Sequence, residues 1–128
     1  MTQAMAKKLF AKWTKIIGFD GWRINFYTVR AEYIDDTDEA IGHMAEYRPY
    51  PRATVRIALG QPDDVVEYAI VHELLHVKLI PLNQEHANVR ELLGAEARQL
   101  AGSSYHATQE MLVETWGQSL LEAFGYGV

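Results

Sequence analysis

Residues 63–80 form a helix-length segment in which apolar side chains occupy positions around most of the circumference. These apolar side chains are Val65, Val66, Ala69, Ile70, Val71, Leu74, Leu75, Val77, Leu79 and Ile80. A helix that is apolar on nearly every side must be buried, so we predict that this is the central helix of the fold. Asp63 and Asp64 suit its first turn, where carboxylates meet free backbone N–H groups, and Pro81 should end it.

Three further helices are predicted from helical spacing and from stop signals. The first covers residues 3–17 and should end at Gly18; its apolar stripe is expected to pack on the core rather than on a membrane surface. A stretch rich in Glu, Ala and Leu predicts another helix over about 85–101, closed by Gly102 and two serines. A last helix is predicted over 105–123.

Three segments have the composition and alternation of β-strands. Residues 22–33 are rich in aromatic and β-branched side chains, and residues 43–50 and 53–59 follow as two more strands separated by prolines. The acidic segment 35–39 lacks the glycine and the distal glutamate of a calcium-binding loop, so we interpret it as a solvated loop. Helices and strands together predict an α+β fold with a small antiparallel or mixed sheet.

Length and charge restrict the classes of protein to which the chain can belong. Its 128 residues fit a single domain over residues 1–128, and 12 basic against 17 acidic residues argue against a nucleic-acid surface. The chain has no cysteine, so any metal must be held by His, Asp or Glu. Without a signal peptide or a membrane span, we expect a soluble, cytoplasmic protein with no membrane partner.

The central helix contains the segment His72-Glu73-Leu74-Leu75-His76. Residues four apart share a helix face, so the two histidines can bind one zinc ion while Glu73 reaches a water on that ion. Zinc would act as a Lewis acid and Glu73 as the general base in the hydrolysis of an amide bond. The alternative is a chance pattern in which Glu73 pairs with Lys78 or is exposed. The apolar surroundings favour the metal, because an unpaired buried carboxylate is costly.

A catalytic zinc site normally has a third protein ligand, and four residues are candidates. A third histidine six positions after the second one would fall at Leu82, which excludes the metzincin pattern. His86 is off that spacing, whereas His106, Glu110 and Glu114 recur every four residues on one face of the last predicted helix. On spacing alone, either carboxylate could reach the metal.

The His-Glu-Leu-Leu-His segment and the later Glu110-Met-Leu-Val-Glu114 together resemble the gluzincin metallopeptidases, and residues 43–123 look like the minimal phage- and prophage-associated domains of this kind. The resemblance implies a zincin-like fold in which the C-terminal helix supplies Glu110 as the third zinc ligand. It also implies that Glu114 hydrogen-bonds a zinc-bound histidine. The chain has Gln109 where better-known gluzincins have Asn.

The resemblance implies a peptide or protein substrate that lies antiparallel to an edge strand beside the zinc helix. We expect residues 53–59 to be that edge. Arg52 or Arg56 could favour acidic substrates, and His106 is a candidate for stabilising an oxyanion, with Tyr105 a weaker one.

Two alternatives to a zinc peptidase stay open at this point. The chain could be a metal-binding zincin-like domain without peptidase activity that acts as a regulatory or phage-assembly interaction module. It could also be a helical domain that binds no metal.

Overall fold

A computed structural model describes residues 1–29, 42–47 and 51–128, the second of these ranges for its backbone only. The acidic segment 35–39 lies outside the described residues. The described elements, in chain order, are helix α1 (Gln3–Ile17), strands β1 (Arg23–Val29), β2 (Gly42–Tyr47) and β3 (Arg52–Ala58), and helices α2 (Asp63–Lys78), α3 (Ile80–Arg90) and α4 (Ala95–Phe124). The predicted α+β class is confirmed.

Helix α1 has the bounds that its apolar spacing predicts. The Thr2 hydroxyl accepts a hydrogen bond from the Met5 N–H at 3.1 Å, and Gly18, at φ 87°, ends the helix. Its stripe is buried against α2, with Leu9 and Trp13 in the core. In the described part of the chain, no helix is both long enough and apolar enough to cross a bilayer.

The sheet has the strand order β1-β3-β2 and is mixed. β1 pairs with β3 in parallel, with Phe26 opposite Val55, and β2 pairs with β3 antiparallel. The prediction that residues 53–59 form an edge strand is therefore wrong. β3 has a neighbour on each side, so its backbone hydrogen-bonding groups face other strands, and β1 and β2 are the edges of the described sheet.

Helix α2 is the central helix, as predicted. It contacts α1, the sheet and α4, and ten of its residues are buried. The break after it comes slightly earlier than predicted: Leu79 caps α2, and Pro81 lies in the first turn of α3. Proline is well tolerated there, because the first helical N–H groups have no intrahelical partner.

The predicted boundary between the last two helices is wrong. α4 begins after Gly94, whose extended backbone (φ -66°, ψ 166°) caps it, and the helix continues through Gly102 to Phe124. Gly102 serves packing instead: a Cβ atom at this position would lie 2.5 Å from Nη1 of Arg90. The glycine that resembled a stop signal leaves room for a side chain from α3.

Candidate metal centre

Close packing of α4 on α2 positions the centre. Gly117 of α4 is buried, and a Cβ atom at this position would lie 3.8 Å from the side chains of Tyr68, Val71 and Leu75. These are ordinary van der Waals distances, so the two helices pack side by side here with room for no more than a methyl group. The face of α4 that carries Glu110, two turns earlier, is therefore held against α2.

Two imidazoles and one carboxylate converge between these helices. His76 Nε2 lies 3.2 Å from His72 Nε2 and 2.9 Å from Glu110 Oε1, and His72 Nε2 lies 3.7 Å from Glu110 Oε2. Within the described residues, this is the one group of three or more His, Asp or Glu side chains compact enough to hold a metal ion. The structure thus brings together the three side chains that were predicted as ligands.

The spacing of these atoms fits a tetrahedral zinc ion. Zinc bonds to nitrogen and oxygen of about 2.0–2.2 Å, at tetrahedral angles, separate neighbouring ligand atoms by about 3.3–3.6 Å. The two nitrogens are 3.2 Å apart, one Glu110 oxygen lies 2.9 Å from His76 Nε2 and the other lies 3.7 Å from His72 Nε2, so these separations scatter around this distance. Two nitrogens and one carboxylate also match the ligand types of catalytic zinc sites, which leave a fourth position open.

The environment of both histidines favours the neutral imidazole that can bind a metal. Burial lowers the pKa of His72, as does the nearby His76, whereas Glu110 and Glu114 act in the opposite direction. Burial also lowers the pKa of His76, with a smaller contribution from His106. Near neutral pH, the cluster therefore offers two unprotonated nitrogens to an ion.

Glu73 lies between the two histidines in the sequence. Its side chain is buried, with 3% of the residue's surface exposed. The alternative in which it is an exposed helix carboxylate is thus excluded. The ammonium group of Lys78 donates a hydrogen bond to the Gly18 carbonyl oxygen and lies 5.0 Å from the Phe19 ring centre. Its burial on the helix that carries both imidazoles makes Glu73 a candidate for chemistry at the centre.

Gln109 lies next to the cluster, and its sequence position alone predicts no role for it. Its amide nitrogen lies 3.5 Å from His76 Nδ1, at the outer limit of a hydrogen bond. Glu114 is exposed and acts electrostatically on His72. The Nδ1 atom of His72 has no hydrogen-bond partner among the described residues, and a hydrogen bond that Glu114 accepts from a zinc-bound histidine stays a prediction.

The other candidates for the third ligand lie apart from the cluster. The His86 ring stacks on Tyr105, with ring centres 3.9 Å apart, and the Tyr105 hydroxyl donates a hydrogen bond to Asn83 Oδ1 at 2.6 Å. His106 is exposed and does not belong to the group of converging ligand atoms. Glu110 is the candidate whose atoms reach both motif histidines.

Tyr68 lies next to the centre and was not identified from the sequence. Its ring centre is 5.9 Å from that of His72. Burial raises the pKa of its hydroxyl, and the carboxylates Glu114 and Glu110 raise it further. The signal that could have found it is spacing, because Tyr68, His72 and His76 recur every four residues on one helix face.

Comparison with known proteins finds no matching family model, no matching curated protein and no matching solved structure. The role of the centre must therefore be inferred from its own residues: two imidazoles and a carboxylate that converge, beside a buried glutamate.

Proposed function

We propose that the chain is a zinc-dependent metallopeptidase with a zincin-like site that hydrolyses peptide (amide) bonds. The convergence of His72, His76 and Glu110 at separations that fit a zinc ion is the observation that carries this proposal. In the proposed site these three residues hold the ion. When bound, zinc would supply Lewis acidity that polarises the substrate carbonyl and acidifies water.

The histidines and the glutamate contribute differently to the binding of a doubly charged ion. His72 and His76 offer neutral nitrogens, because burial disfavours their protonation, and the Glu110 carboxylate contributes negative charge. Gln109, at 3.5 Å from His76 Nδ1, is placed to orient that ring once its amide oxygen faces the N–H group.

Glu73 is the proposed general base. Neighbouring residues on a helix are rotated by about 100°, so Glu73 is directed away from its neighbour His72 and acts beside the ion rather than as a ligand. Its carboxylate accepts a proton from the attacking water and passes it to the nitrogen of the leaving amine. The Glu73 carboxylate takes part in both proton transfers and is deprotonated again at the end.

An extended substrate needs an edge strand with free backbone groups. β3 has neighbours on both sides, whereas β2 is an edge strand that contacts α2, the helix that carries both histidines. We therefore assign substrate pairing to β2 in place of residues 53–59. Recognition through the backbone would make cleavage tolerant of many side chains.

The variant Glu73→Gln tests the proposal, with Glu85→Gln on an exposed position of α3 as the matched control. With zinc present, the wild-type chain and the control should cleave members of an unbiased peptide library. Glu73→Gln should cleave none of them, yet still bind one zinc per chain, because the base is not a ligand. Loss of zinc from Glu73→Gln would contradict the assigned role. A wild-type chain that binds zinc and cleaves nothing would favour the interaction module instead.

A further inference from the structure

A cleft of about 540 Å³ lies between the end of α3 and the first half of α4. Its charged or titratable lining residues are Arg90, Arg98 and His106, and the other lining residues are neutral. The chain as a whole carries a formal charge of -5, so a cleft without a single acidic lining residue departs from the general surface.

The two arginines of this cleft lack carboxylate partners in the described part of the chain. Arg98 donates to the backbone carbonyl oxygens of Glu91 and Leu93, at 3.3 and 3.1 Å. The Arg90 guanidinium lies against Gly102 of α4, and its Nε atom is buried without a hydrogen-bond partner. Guanidinium groups in this state retain donors and charge for an anion.

Helix electrostatics explain the positions of Arg90 and Arg98 only in part. A cation in the last turn of α3 is favourable, and Arg90 is placed there. Arg98 is the fourth residue of α4, near the positive end of that helix dipole, where a cation is unfavourable, but it also donates to two carbonyl groups at the C-terminal end of α3, where a cation is favourable. The positive helix end and both guanidinium groups therefore attract negative charge to the same place.

The cleft and the candidate metal centre share one face of α4. Gly102, His106 and Glu110 follow each other at intervals of one helical turn, and His106 lines the cleft. Glu110 follows Gly102 by eight positions, which corresponds to about 12 Å along the helix. An extended peptide rises about 3.3 Å per residue, so three or four residues would span this distance.

We propose that this cleft binds a carboxylate of the peptide substrate, three or four residues from the bond that is cleaved. This inference rests on the proposed peptidase function, because the metal centre defines the position of that bond. The carboxylate is either the free C-terminus of the peptide or the side chain of Asp or Glu. Arg90 is the main binding residue, Arg98 adds charge, and Gly102 leaves the space that the Arg90 guanidinium occupies.

Binding to the zinc-loaded Glu73→Gln chain tests this proposal without cleavage. The probes are fluorescently labelled octapeptide pools in which one position is Glu or Gln and the C-terminus is a free acid or an amide. We expect either the Glu pools or the free-acid pools to bind about tenfold more tightly than their neutral counterparts. The pair that differs identifies the source of the carboxylate.

Substitutions in the same Glu73→Gln chain then identify the residue that causes the preference for acidic peptide pools. Adding Arg90→Gln should remove it, whereas Arg23→Gln, at an exposed position of β1, should leave it unchanged. If Arg90→Gln does not fold, Gly102→Ala replaces it: alanine favours the helix, but its Cβ atom displaces the guanidinium, so the preference should fall while thermal stability does not.

The proposal is overturned if acidic and neutral pools bind equally, or if the preference survives in the folded Arg90→Gln chain. Failure of the peptidase function is read separately, from a wild-type chain that cleaves no peptide although its carboxylate preference is intact.

Discussion

Replacing Glu67 with glutamine should lower the free energy of unfolding by about 3 kcal/mol, although the side chain keeps its size. Glu67 is 2% exposed and accepts three hydrogen bonds. Oε1 accepts from Trp13 Nε1 at 2.8 Å and from Lys12 Nζ at 3.2 Å, and Oε2 accepts from the Gly127 N–H at 2.8 Å. The carboxylate thereby ties α1, α2 and the segment after α4 together.

The magnitude follows from counting donors and acceptors. Glutamine has one acceptor oxygen and an amide group that donates, so at least one donor would face another N–H group. A buried donor without a partner costs about 1–3 kcal/mol. Loss of the charge opposite Lys12, which is 18% exposed, adds about 1 kcal/mol. For 128 residues, about 3 kcal/mol corresponds to a decrease in Tm of about 10 °C.

Urea and thermal denaturation of Glu67→Gln, followed by circular dichroism, measure this loss. Glu85→Gln is the control, because an exposed substitution should stay within about 0.5 kcal/mol of the wild-type chain. If Glu67→Gln also stays within that range, the three hydrogen bonds do not hold the end of α4 in place, and the reasoning is refuted.

Three further outcomes are expected. Glu110→Gln should weaken zinc binding at least about 100-fold and Glu114→Gln less than tenfold, measured by competition with a chelating dye; equal losses would count against Glu110 as a ligand. The metal-free chain should lose stability as the pH falls through 6.5. Burial lowers the pKa of His72 and His76, so the unfolded chain binds more protons than the folded chain in this range. A Tm that stays constant in melting curves from pH 8 to 5 would contradict this. Gly117→Ala should raise the free energy of unfolding by about 1 kcal/mol, because alanine favours the helix and its Cβ atom meets neighbours only at 3.8 Å; a loss in urea denaturation would show that the contact between α2 and α4 is too tight.

Hydrophobic periodicity was sufficient to predict α1 and the burial of α2. The spacing over residues 3–17 and the stop at Gly18 both depend on nearest neighbours along the chain, which a sequence displays directly. The same local reasoning placed His72 and His76 on one face of α2. Such features can be predicted because they do not depend on contacts between residues that are distant in the sequence.

The separation of Glu110 from the two histidines could not be derived from periodicity. Spacing left Glu110 and Glu114 as equal candidates, and only the resemblance to gluzincins ranked them. The distance of 2.9 Å from His76 Nε2 to Glu110 depends on how closely α4 packs on α2, which involves Gly117 and residues forty or more positions away. Tertiary packing of this kind has no signature in a local pattern.

The two wrong predictions, a helix boundary at Gly102 and an edge strand over residues 53–59, also concern features that depend on tertiary packing. Gly102 resembles a helix stop, but its cost of about 1 kcal/mol in a helix interior is small against the packing of a 30-residue helix. The identity of the edge strand depends on strand order, and the parallel pairing of β1 with β3 joins segments that are not adjacent in sequence. The alternation within residues 53–59 is compatible with a central and with an edge position.

The central claim is that His72, His76 and Glu110 hold a zinc ion, and a crystal structure with anomalous scattering recorded on both sides of the zinc absorption edge tests it most directly. The chain should be purified without chelator and without a histidine tag. We predict one anomalous peak per chain, within about 2.0–2.2 Å of Nε2 of both histidines and of a Glu110 carboxylate oxygen, and absent below the edge. No peak in zinc-supplemented crystals, or a peak coordinated by other residues, would contradict the account.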